Sequence, residues 1–172
     1  MLSHSNTATP QSYTIEETED GYYFMTDFGY KYFMYFATFH LTSTDNEELL
    51  IPNFGFNCSP KLIRKKGQKH YDPKVSTTIK NFLLEFFIRN PHLPVLYLCD
   101  TEEDLAENRH RTFKKWGQEI SKTIPISIHE CGQAYFEAGF FSSILVRTDF
   151  EEKEKYVGAF YHSLKEFFPD IG

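Results

Sequence analysis

Residues 30–42, YKYFMYFATFHLT, decide the fold. Nearly every position is apolar or aromatic, a pattern that suits a central strand covered on both faces better than one with a wet side. Toward the N-terminus, Asp27-Phe28-Gly29 is a turn and residues 22–26 (YYFMT) form a strand. Glu19-Asp20-Gly21 turns the chain again, and residues 12–17 (SYTIEE) alternate as a short strand. Toward the C-terminus, residues 44–48 are polar and turn-like. Residues 49–56 predict a fourth strand, broken by Pro52 and Gly55. Four strands joined by tight turns make an antiparallel meander.

Beyond residue 71 the period changes. Asp72-Pro73 opens a helix, with Asp at the N-cap and Pro where its missing N–H costs nothing. Val75, Ile79, Phe82, Leu83 and Phe86 form its apolar stripe, and Asn90-Pro91 ends it. Residues 93–99 (LPVLYLC) read as a buried strand. Thr101-x-x-Asp104 resembles a capping box before a helix over 102–120, with Leu105, Phe113, Trp116 and Ile120 on one face. Residues 124–129 (IPISIH) and 141–147 (FSSILVR) alternate as a strand pair. Asp149 is expected to cap a last helix carrying Tyr156, Phe160, Leu164 and Phe167. The order ββββ-α-β-α-ββ-α predicts an α+β fold: a mainly antiparallel sheet with an N-terminal four-strand meander and three packed helices. Residues 1–172 are expected to form one domain, with 1–11 a loose N-terminal tail.

The 172 residues supply a core that needs neither disulfide nor structural metal. Cys58, Cys99 and Cys131 show no CxxC spacing, and an odd count cannot pair fully within the chain, so reduced, buried thiols are expected. The N-terminus has no basic or apolar signal region, and nowhere do about eighteen apolar residues run together. These features predict a cytoplasmic protein that does not enter a membrane. A net charge of −6 argues against general nucleic-acid binding. Nine of the eighteen Lys and Arg residues nevertheless fall in two segments, 61–70 and 109–115. They leave room for a local anionic partner, with Arg64, Lys65 and Lys66 in the first segment.

Chemistry is sparsely signalled. There is no GxGxxG, no GxxxxGK[ST], no GxSxG and no HExxH, and neither a metal nor a cofactor is expected. Asp100 leaves a buried strand and enters a helix, a place suited to anions or to a reactive carboxylate; its simpler role is a cap. Arg109 falls on the apolar side of the same helix, where it snorkels, pairs with a carboxylate of the sheet, or forms an anion clamp with Arg111 and Lys115. His110 and His162 read as exposed helix positions. His129-Glu130-Cys131 brings an imidazole and a thiol close in sequence, but strand alternation argues against a catalytic pair.

Two sets of residues carry a family likeness. One is Tyr23-Phe24-Met25-Thr26-x-x-Gly29-x-x-Tyr32. The other is Val95-Leu96-Tyr97-Leu98-Cys99-Asp100 followed by Arg109, Arg111, Phe113 and Trp116. Over residues 20–148 the chain resembles small uncharacterised proteins of Bacteroidetes-type bacteria that share a domain of unknown function. The resemblance implies a bacterial cytosolic protein and marks Asp100, Arg109, Arg111 and Trp116; it brings no activity, cofactor or catalytic residue.

Aromatic residues make up 17% of the chain, without a catalytic constellation. That favours a non-enzymatic protein-binding or regulatory module, with a protein partner or a homodimer. The alternative is a small enzyme, or a nucleotide or nucleic-acid binder, using Asp100 with Arg109, Arg111 and the basic segment 61–70.

Overall fold

The computed structural model describes residues 11–60, 72–99 and 105–171. Strands β1 (Glu16–Thr18), β2 (Gly21–Met25), β3 (Lys31–Thr42) and β4 (Glu48–Ser59) form the expected meander. Helix α1 (Pro73–Arg89) leads to β5 (Val95–Cys99) and α2 (Ala106–Ile120). Then come β6 (Ile126–Glu130), the short α3 (Gln133–Glu137), β7 (Phe141–Arg147) and α4 (Lys153–Phe167). The sheet runs β1-β2-β3-β4-β5-β7-β6, antiparallel throughout except where β4 meets β5. That parallel seam carries one register pair, Asn53 with Leu96.

The α+β class, the meander and the three long helices match expectation. The short α3 was not anticipated. It fills the link between β6 and β7, where Gly132 and Gly139 take positive φ at its two ends. The first strand covers only Glu16–Thr18, because Tyr13 turns away to dock on α1. The fourth strand is not broken: β3 and β4 pair over all twelve residues of each. Pro52 is tolerated because the other flank of β4 bears so little ladder. At Gly55, a Cβ would lie 2.4 Å from the ring of Tyr35 opposite, so the ring takes the space a side chain would need. Asp149 does not cap the last helix. Arg147 holds it through Nε at 2.8 Å and Nη2 at 2.6 Å, and Glu152 stands at the N-cap instead.

Helices α1 and α2 cover one face of the sheet. There Phe24, Met34, Phe54, Leu83, Phe113, Trp116 and Leu145 form the larger core. On the opposite face α4 packs on Leu41, Leu49, Ile51, Leu96 and Ile144. The N-cap of α1 joins two parts of the chain: Asp72 accepts from Lys74 N at 3.0 Å and from the Tyr13 hydroxyl at 2.7 Å. Burial pushes the Tyr13 phenol up to about 12, and the Asp72 contact adds to the rise, so it stays a donor. Asp72→Ala is expected to cost about 1–2 kcal/mol in urea unfolding. Asp72→Asn, which keeps an acceptor for Lys74, should recover much of that loss.

Candidate functional site

Asp100, Arg64, Lys65 and Lys66 lie outside the described residues, as does the whole basic segment 61–70. The structure does place the α2 candidates. Trp116 is 5% exposed and donates its indole N–H to Ser76 Oγ at 3.0 Å, joining α2 to α1. Arg111 and Lys115 share the solvent face, and Arg111 pairs with Glu107 one turn earlier. Arg109 is half-buried and turned toward β5, where its charge reaches Tyr97 and Cys99. Arg109 and Arg111 therefore face different directions.

His110 is 4% exposed, contrary to the expectation of an exposed position. The buried stripe of α2 runs Ala106, His110, Phe113, Trp116, Gly117 and Ile120, whereas Leu105, assigned to that stripe from the sequence, is exposed. The imidazole lies against the rings of Phe136 and Phe141. Its Nε2 is 2.9 Å from Glu130 Oε1, and Lys114 Nζ is 2.9 Å from Glu130 Oε2. A carboxylate only accepts, so Nε2 carries the proton that bridges them. Burial pushes the Glu130 carboxyl up, but the bonds from Lys114 and His110 outweigh it and hold the group below its ordinary range. This chain ties α2 to β6. The signal for it was present in β6, where Ile126, Ile128 and Glu130 share the helix-facing side.

Cys99 and Cys131 are protected, whereas Cys58, expected to be buried, is half-exposed. Burial pushes Cys99 up to about 12 despite the Tyr97 contact and Arg109, and burial also raises Cys131. His129 and Cys131 stand two apart, so alternation puts them on the same face and is not what separates them. The imidazole is occupied by Ser127, whose Oγ lies 3.0 Å from Nε2, while Cys131 Sγ donates to Phe140 O at 3.7 Å. In a Cys58→Ser variant, a disulfide thiol reagent at neutral pH is expected to find no fast-reacting group until denaturant is added. A rapid stoichiometric reaction in the native state would contradict this protection.

The most distinctive surface lies on the sheet itself. Two twelve-residue strands extend for about 40 Å, and no fifteen- or seventeen-residue helix can cover that length. On the α4 side the helix ends where Phe167 meets Phe39. Beyond that point Ala37, Lys31, Met25 and Asn57 are exposed, Tyr35, Phe33, Tyr23 and Gly55 are half-buried, and none of them belongs to the core that α4 covers. The reading of β3 as covered on both faces is therefore not met: α1 and α2 cover one face at Tyr32, Met34 and Phe36, and α4 covers the other only at Phe39 and Leu41. Phe33 and Tyr35 stack at 5.8 Å, Lys31 Nζ sits 4.1 Å above the Tyr23 ring, and the Tyr23 hydroxyl bonds Glu16. Met25 is 49% and Phe167 54% exposed. The matching uncovered end on the α1 side carries Thr38, His40, Glu48 and Leu50, and is polar but for the leucine.

Elsewhere, His92, Asp149, Phe150, Glu151, Glu152 and Tyr156 line an open depression of about 410 Å³. Among the described residues no group of His, Cys, Asp and Glu could hold a metal ion. No described helix is long and apolar enough to cross a membrane.

These features define an α+β protein with a seven-stranded, mostly antiparallel sheet and a bare aromatic strip. Its middle portion places it further: residues 71–162 match the model of a family of unknown function, DUF6169, and the chain belongs to that family. The matched stretch begins after β4, so the motif around Tyr23 and Gly29 lies outside it. No curated protein and no solved structure matches the chain.

Proposed function

We propose that this chain is a non-enzymatic protein-binding module whose docking surface is the bare strip of β2, β3 and β4, and that its occupant is a second copy of the chain. The observation that carries this is the asymmetry between the two uncovered ends of the sheet. The polar end suits water, whereas the other presents Tyr23, Met25, Phe33 and Tyr35 side by side. The strip also suits its own copy. Its charges are one Lys and one Glu beside a neutral aromatic centre, so two strips can meet without like charges being forced together.

The strip spans about 20 Å along β3 and about 15 Å across, on the order of 300 Å² for each copy. A stable complex commonly buries about 800 Å² per partner, so a weak, reversible dimer is expected. Sedimentation velocity from micromolar to sub-millimolar concentration tests this. The wild type should shift from monomer to dimer, and Phe33→Glu should remain monomeric with an unchanged circular dichroism spectrum. A wild type monomeric at every concentration would overturn the proposal.

We further read the whole chain as one domain, because a single sheet spans Glu16 to Arg147. A bacterial, cytoplasmic setting is part of the same reading, supported by the motif resemblance and by three cysteines that are all free.

A further inference from the structure

Resting on the self-pairing just proposed, we infer that Lys31 and Glu16 set the register of the dimer by exchanging partners across its two-fold axis. Two sheets meeting face to face are related by an axis lying in the plane between them. Groups on one side of that axis therefore meet groups from the other side of the partner. Lys31 and Glu16 are arranged around Tyr23 in this way. The ammonium lies above the ring, and the carboxylate binds the hydroxyl through Oε2. Within the described residues the Lys31 ammonium has no carboxylate partner, its contact being the ring face. Glu16 Oε1 likewise takes no hydrogen bond there. Each group retains capacity for one more charged contact, and each faces out of the open side of the sheet. An axis running between them over Tyr23 makes two equivalent Lys–Glu pairs and brings the two Tyr23 side chains together at the centre.

Charge reversal gives the test a signature that a structural role would not give. Lys31→Glu alone, or Glu16→Lys alone, turns both pairs into like-charge contacts and should weaken self-association roughly five- to thirtyfold. An equimolar mixture of the two variants restores an attractive contact at both pairs. It should therefore form a mixed dimer with affinity near that of the wild type, read by sedimentation velocity with one variant fluorescently labelled. If the wild type dimerises, Phe33→Glu abolishes it, and the charge variants associate as well as the wild type, the register inference falls and the proposed function stands. Singles that weaken without rescue on mixing also overturn the inference. A wild type that never dimerises removes both.

Discussion

Phe113→Ala is expected to remove about 3–5 kcal/mol of stability, read as a shift of the urea midpoint, and to lower the melting temperature by roughly 10 °C. Phe113 has no solvent exposure and lies flat on Tyr97, with centroids 3.9 Å apart and planes inclined by 9°. It also packs on Phe54 at 6.2 Å. One side chain thus joins α2 to β5 and β4, and truncation leaves a cavity between two rings held by separate strands. Neither strand can move inward without disturbing the sheet, so little of the cavity will close. Leu50→Ala, at a position 54% exposed, should stay within about 0.5 kcal/mol of the wild type. Equal effects at both sites would show that the core is not organised around Phe113.

Glu130→Ala should cost about 1–3 kcal/mol at neutral pH, because it strips the acceptor from a buried imidazole N–H and from Lys114. Glu130→Gln should cost less, since its amide oxygen can still accept one bond. The effect depends on pH in a definite direction. The folded state holds this carboxyl below its ordinary value of 4.5, so its contribution is complete above that value in the unfolded chain and is lost as pH falls through the folded value. The gap between wild type and Glu130→Ala should therefore be widest near neutrality and shrink below about pH 4.5. A gap that is constant from neutral to acid pH would mean that the ionised carboxylate is not what His110 and Lys114 recognise.

What the sequence disclosed follows the range of the interactions involved. The long run at 30–42 and the stripe from Val75 to Phe86 are local patterns, and each became the element they describe. The continuity of β4 was hidden because the residue that makes Gly55 acceptable, Tyr35, lies across the ladder. The last helix cap was misassigned because Arg147 competes for Asp149 from the preceding strand. At the candidate sites, Glu130 could be assigned to the helix-facing side from alternation, but its partner could not. His110 is polar on a stripe of apolar residues, and only a carboxylate on a distant strand reconciles it with burial. The bare aromatic strip was least legible of all. A strand apolar on both sides does not reveal how far a helix from the other end of the chain will reach.

The seam between β4 and β5 has a mechanical meaning. Along β3 and β4 the backbone is fastened rung by rung, while the two halves of the sheet meet at a single register pair. Pulled apart edge from edge, the sheet would tear along that line rather than within the meander, with the contact of Phe54 on Phe113 acting as its rivet. The same line divides the strands inside the family match from those outside it.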